Sequence, residues 1–325
     1  MAHPAPAWFH TFTDIGFPGE RIVFGLRCSL TLWFMEKKKF LKRFVGVSAM
    51  VVLISGFNDS DIVGRSREAR LNEGYTLVFQ DEFDYVGEPD ARRWNFETGF
   101  IRNNEPQWYQ KENARVDNGV LTITTRKEHV KNPNYDAGSS DWRLNTPAAE
   151  YTSASVISKG KFEFKFGRVE ARLKINATQG QWPAFWMLGA NRGPVAWPAC
   201  GEVDIMEYYR GIMHANLAWQ AKGGHSEWHT EKHPIADIGD KAFWNEFHIW
   251  RLDWDEEFMR IYMDDHLMNE TRILDIRNGE RGNNPFHEKF YLVMNAALGQ
   301  GGEAIPEHTL PSAYLIDYVR VYQKL

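Results

Sequence analysis

An all-β domain over residues 74–325, a sandwich or barrel, is what the sequence predicts, and three observations predict it. Short runs rich in β-branched and aromatic residues recur along the chain, glycine- and asparagine-containing turns separate them, and no stretch carries the apolar period of a long amphipathic helix. With 325 residues and 43% hydrophobic content there is ample material for a large core.

The strands follow in order. Residues 75–79 form the first. Residues 119–125 form another, entered through Asp117-Asn118-Gly119, a turn sequence. Runs at 154–157, 161–166 and 169–175 come next, punctuated by Gly160 and Gly167. Residues 247–254 and 258–263, joined by Asp255-Glu256-Glu257, predict a hairpin, and 291–297 and 316–322 close the chain. Helix is expected only as short turns near 241–246 and 311–314, and no internal repeat is visible.

The most informative strand is Gly201-Glu202-Val203-Asp204-Ile205-Met206-Glu207-Tyr208-Tyr209-Arg210. Three carboxylates among apolar β-formers oppose core packing, since acids are seldom buried unpaired. Strict alternation puts Glu202 and Asp204 on one face and Glu207 on the other. One extra residue, a β-bulge near Ile205-Met206, returns Glu207 to the face of the other two. The alternative is a solvated acidic strand edge. A row of acids suits glycoside hydrolysis, in which one carboxylate attacks the anomeric carbon while a protonated one releases the leaving oxygen. Four net strand steps set the Cα atoms of Glu202 and Glu207 about 13 Å apart, a span two leaning glutamate side chains can close. Asp204 between them would raise a neighbour's pKa by like charge.

A net charge of −5 leaves no polyanion footprint, so nucleic acid is not an expected partner. Thirteen tryptophans and twelve tyrosines suit either a sandwich core or a surface on which sugar rings stack. Cys28 and Cys200 provide no disulfide framework. Met35 opens a basic stretch, 36–43, followed by an apolar run, 44–57, too short to span a bilayer. This reads as a signal peptide over 35–57, with 1–34 as upstream sequence from a mis-assigned start and 58–73 as a linker. Phe57 stands where a lipidated cysteine would be needed, so the expectation is an exported, unanchored monomer without a membrane span.

Glu202-Val203-Asp204-Ile205-Met206-Glu207 resembles the bulged E-x-D-x-x-E signature of glycoside hydrolase family 16. Asn104-Glu105-Pro106-Gln107-Trp108-Tyr109, Trp182-Pro183-Ala184-Phe185-Trp186-Met187-Leu188, Trp197-Pro198-Ala199-Cys200-Gly201 and Asp317-Tyr318-Val319-Arg320-Val321-Tyr322 resemble further family segments in the same order. The resemblance covers residues 75–325. It implies a β-jelly-roll of two curved antiparallel sheets with an open concave cleft, and endo-acting, retaining cleavage without a catalytic cofactor. Carried over, it makes Glu202 the nucleophile, Glu207 the acid/base and Asp204 the auxiliary acid. Asn104, Trp108, Trp182, Trp186 and Trp197 become candidate substrate contacts, although each indole could equally fill core. A structural calcium is also implied, with Glu82, the Gly119 carbonyl and Asp317 as oxygen ligands.

After the acids the chain reads Gly211-Ile212-Met213-His214-Ala215-Asn216-Leu217-Ala218-Trp219, departing from laminarinases that carry histidine and threonine there. Asn216 and Trp219 are candidate contacts from that strand, and Trp228 from a loop over 223–233 expected near the acceptor subsites. His225, His229 and His233 recur every four residues, a spacing that suits zinc on a helix. Gly223-Gly224 before them and Pro234 after them argue against that helix. The expected substrate is a β-1,3-linked or mixed-linkage glucan, because the Trp-Pro-Ala-Cys-Gly-Glu context resembles laminarinases most. The alternatives are an endo-β-galactosidase acting on galactan or mucin-type O-glycans and, behind it, a carbohydrate-binding module that has lost catalysis.

Overall fold

A computed structural model describes residues 74–324. The segments expected as upstream sequence, signal peptide and linker lie outside the described residues. Among the described residues the chain forms β1 (Thr76–Asp81), β2 (Asn95–Glu97), β3 (Gln107–Tyr109), β4 (Ala114–Asp117), β5 (Val120–Lys131), β6 (Ala148–Ser153), β7 (Ser155–Ile157), β8 (Gly167–Lys174) and β9 (Gln181–Gly189). It continues through β10 (Glu202–Tyr209), β11 (Ile212–Gln220), β12 (Ser226–Pro234), β13 (His248–Trp254), β14 (Phe258–Met263), β15 (His266–Arg272), β16 (Phe290–Leu298) and β17 (Ser312–Gln323). Helix is confined to single turns such as Lys241–Trp244, capped by the Asp240 carboxylate accepting from the Phe243 N–H.

These strands make the two sheets of a jelly roll. One runs β15-β14-β13-β8-β17-β5-β6-β3, with β1 and β4 added beside β17 and β5; the other runs β12-β11-β10-β9-β16-β7-β2. All pairs are antiparallel except β3 with β6. The Asn118-Gly119 turn joins β4 to β5 with both residues at positive φ, the geometry that matches strand twist in a two-residue hairpin. At the β13–β14 turn the Asp255 carboxylate accepts from the Glu257 and Phe258 N–H groups, which fixes the predicted hairpin.

The core lies between the sheets. From the seven-stranded sheet it takes Val203, Phe185, Met187, Met213, Ala215, Leu217, Leu292 and Met294; from the other it takes Val169, Ala171, Leu173, Trp250, Leu252, Ile316, Val319 and Val321. Each large aliphatic chain fully buried there contributes roughly 1.5–3 kcal/mol, which commits the opposite side chains of the same strands to the outer faces.

Three expected elements change. The short helical turn expected at 311–314 is instead the start of β17, where residues 312–315 pair with β5. Residues 161–166 do not form a strand: a turn in which the Ser158 carbonyl accepts from Lys161 and Phe162 takes up the segment, leaving only a bridge from Phe164 to Phe290. Residues 226–234, expected as loop, form the edge strand β12. The strand β9 gave no alternation signal because it is buried on both faces, and Pro183 is tolerated there because the β10 ladder stops at Ala184.

Candidate active site

The face of the seven-stranded sheet turned away from the core carries the acids. On β10, Glu202 faces Ala218 of β11, Asp204 faces Asn216 and Glu207 faces His214, so three steps along β10 match two along β11 between Asp204 and Glu207. On the other side Asp204 faces Trp186 and Met206 faces Phe185, which makes Ile205 the extra residue. Ile205 and Met206 are both fully buried in the core, and their burial drives the bulge. The four steps from Ala218 to His214 span about 13 Å, with Asp204 midway. Gly201, at φ +81°, precedes the row: a Cβ there would lie 2.9 Å from the Phe290 ring, so only glycine lets the chain enter β10 at this point.

Every acid has a designated donor. The Trp197 indole N–H donates to Glu202 Oε2 (2.9 Å), and the Trp182 indole N–H donates to Glu207 Oε1 (2.8 Å). One nitrogen, Asn216 Nδ2, donates both to Asp204 Oδ2 (2.9 Å) and to Glu207 Oε2 (2.9 Å). Indoles thus bracket the row at both ends. Trp197, 41% exposed, also meets Trp228, 43% exposed, at a ring separation of 6.1 Å, giving an aromatic wall beside Glu202.

Burial is the largest cause of raised pKa at all three acids. It lifts Asp204 to about 7, against the opposing Asn216 hydrogen bond. It lifts Glu207 to about 8, aided by the charges of Asp204 and Glu105 and opposed by Trp182 and Asn216. Glu202 is also pushed well up by burial and then by Asp204 and Glu207, with Trp197 and Arg102 favouring its ionised form. Because the three titrate together, the row holds at least one proton near neutral pH, which a general acid requires.

A second polar network adjoins the row. Glu105 accepts from Gln107 Nε2 (2.7 Å) and Tyr109 OH (3.0 Å). The Tyr109 hydroxyl accepts from Asn295 Nδ2 (2.9 Å), and Asn295 Oδ1 accepts from the Trp186 indole N–H (2.7 Å). Arg102, ion-paired with Glu97, lies over the Trp186 ring. Glu105, Gln107, Tyr109, Arg102 and Asn295 were not singled out as site residues. Their signals were the alternation Glu105-x-Gln107-x-Tyr109 and a lone asparagine in the apolar strand Phe290–Leu298.

That alternation also corrects Trp108, which points the opposite way into a cluster with Phe100 and Ala149 and is 8% exposed. Trp219 likewise packs on the core side against Phe286, opposite the acid-bearing face. Trp186 is on the acid-bearing face, buried as floor with Leu188 and Tyr291. Asn104 is exposed at positive φ on the loop beside this network. The calcium ligand set does not fit. The Glu82 carboxylate is held by both Arg320 Nε (2.8 Å) and Nη2 (2.9 Å), the Asp317 carboxylate is ion-paired with Arg172, and a carboxylate neutralised in this way is a poor cation ligand. Among the described residues no group of three His, Cys, Asp or Glu side chains is placed to hold a metal ion. His229 and His233 lie on β12, where four residues span about 13 Å, and their rings are engaged by Thr271 and the Met268 carbonyl.

Comparison with known proteins gives the family. Residues 102–313 match the model for Glycosyl hydrolases family 16. The chain is 31% identical to a beta-glucanase of Rhodothermus marinus, covering 90% of this chain and 98% of that one. Among solved structures, an endo-acting O-glycanase from human gut microbiota that initiates mucin breakdown superposes with a TM-score of 0.70 at 33% identity, covering 77% of this chain and 91% of that one. The catalytic domain of an endo-1,3-beta-glucanase from Thermotoga petrophila superposes with a TM-score of 0.62 at 34% identity, covering 77% and 98%. The chain belongs to glycosyl hydrolases family 16 and is an endo-acting, retaining glycoside hydrolase.

Proposed function

We propose that the chain cleaves internal β-1,3 linkages of a β-glucan by double displacement, with Glu202 as nucleophile, Glu207 as acid/base and Asp204 as auxiliary acid. The observation that carries the assignment is the acid row itself, bracketed by indole donors at Glu202 and Glu207. Glu202 attacks the anomeric carbon and forms the glycosyl ester as protonated Glu207 gives its proton to the leaving oxygen. Esterification removes the Glu202 charge, so the pKa of Glu207 falls and it becomes the base that deprotonates the incoming water. Trp197 and Trp228 offer apolar ring faces for sugars beside the nucleophile.

A glucan is favoured by the similarity to the Rhodothermus marinus and Thermotoga petrophila enzymes over most of the chain. The O-glycan reading is favoured by one observation, the O-glycanase likeness at the higher TM-score of 0.70. Product analysis of parallel digests of laminarin, lichenan and mucin O-glycans separates them. Oligosaccharides from laminarin or lichenan are expected, and release from the mucin glycans alone overturns the glucan assignment. Export is part of the same proposal, supported by the basic stretch and apolar run after Met35; a mature amino terminus found before residue 50 would oppose it.

A further inference from the structure

We propose that Asn216 is a positioning residue whose side-chain amide clamps Asp204 and Glu207 together and sets the proton affinity of the acid/base. This rests on the retaining mechanism above and reassigns a residue expected to contact substrate. Asn216 is 3% exposed and lies in register with Asp204, so a sugar cannot reach its amide nitrogen without displacing the acids. Both amide hydrogens are spent: Nδ2 stands 2.9 Å from Asp204 Oδ2 and 2.9 Å from Glu207 Oε2, holding those two oxygens within twice that distance of each other.

The amide orientation supports the role. Asn216 Oδ1 is buried without a hydrogen-bond partner, as are both ring nitrogens of neighbouring His214. Turning the amide over would free the nitrogen to seek another partner, but it would aim the oxygen at two carboxylates. The side chain therefore leaves an acceptor unsatisfied in order to point both donors at the acids, a trade that filling space does not require. A threonine at this position has one hydroxyl hydrogen and can serve only one carboxylate at a time.

Glu207 needs such a clamp. Trp182 holds Oε1 and Asn216 holds Oε2, and each carboxyl oxygen keeps a second lone-pair direction for the catalytic proton. The other charged or titratable groups facing it are Glu202 and Tyr209 on β10, His214 on β11, Lys232 beyond it on β12, and Glu105 from the adjoining network. Burial holds the His214 pKa at about 4 and lifts Tyr209 to about 12, so between those limits the carboxyls dominate the local titration. Asn216 donates to the ionised forms of both acids, and its removal favours their protonated forms.

The test compares wild type with Asn216→Ala and Asn216→Thr. Where the enzyme turns over laminarin, the alkaline limb of kcat should move up by about one pH unit in Asn216→Ala, with KM unchanged, and by less in Asn216→Thr. A raised KM with an unmoved limb would make Asn216 a substrate contact and overturn the clamp. Thermal unfolding gives a readout independent of turnover. The Tm deficit of Asn216→Ala should be small at pH 5, where both carboxyls are protonated, and should grow through pH 7–9 as the ionised forms lose their donor. A deficit equal at all pH values would assign Asn216 to packing alone. Wild-type inactivity on every glycan would count against the proposed function, and the unfolding comparison would still decide the clamp.

Discussion

Replacing Trp197 and Trp182 one at a time by phenylalanine should move opposite limbs of the pH–rate profile. Phenylalanine keeps a smaller aromatic face and cannot supply the indole N–H, which lies 2.9 Å from Glu202 Oε2 in one case and 2.8 Å from Glu207 Oε1 in the other. Each bond favours an ionised carboxylate, so its loss raises that acid's pKa. Glu202 acts as the anion, and a higher pKa moves the acid limb up and costs activity at low pH. Glu207 acts as the protonated acid, and a higher pKa moves the alkaline limb up and extends activity to higher pH. A hydrogen bond to a charged group is worth about 1.5–3 kcal/mol, and Trp197 is 41% exposed, so the lower end applies and the shift is about one pH unit. The assay is kcat/KM on laminarin across pH 4–9, with circular dichroism confirming the fold. If Trp197→Phe left the acid limb unmoved, or if both substitutions moved the same limb, the assignment of the two glutamates to their roles would fail.

Glu202→Gln should lower kcat by on the order of a thousandfold or more with the fold intact; retention of more than a few per cent of the wild-type rate would remove Glu202 as nucleophile. The same variant should be more stable than wild type at high pH. A carboxyl whose folded pKa is raised loses stability as pH climbs toward that value, so the gain in Tm should be small at pH 4 and larger at pH 8, and a constant difference would contradict the coupling. Asn295→Ala strands the Trp186 indole N–H and a buried bond to Tyr109. It should cost about 1–3 kcal/mol in denaturant unfolding, and a loss below 0.5 kcal/mol would show that the network is not structural (both figures on the usual scale for an orphaned buried donor).

The acid row was legible because its parity is wrong for a regular strand, and a bulge is the simplest repair; Ile205 and Met206, both apolar, marked where the extra residue would be buried. The tryptophans were harder. Trp219 lies one position from Ala218, which faces Glu202, but the register of β11 against β10 is a tertiary fact that a single strand does not carry. Trp108 differs for another reason: its neighbours Gln107 and Tyr109 hold the polar face, and strand alternation turns the indole between them into the Phe100 cluster. The arginines that neutralise Glu82 and Asp317 lie 238 and 145 residues away in sequence, so nothing local to those acids marked the pairing. β9, apolar on both faces, offered no period to read.

Whether Glu202 forms the glycosyl ester can be tested by covalent trapping. The enzyme would be incubated with a 2-deoxy-2-fluoro laminaribioside bearing a good leaving group, and the protein mass and then its peptides would be measured. One added glycosyl unit on the peptide containing Glu202 is expected, located on that side chain by fragmentation. A label on Glu207, or rapid turnover releasing product of inverted anomeric configuration, would contradict double displacement through Glu202.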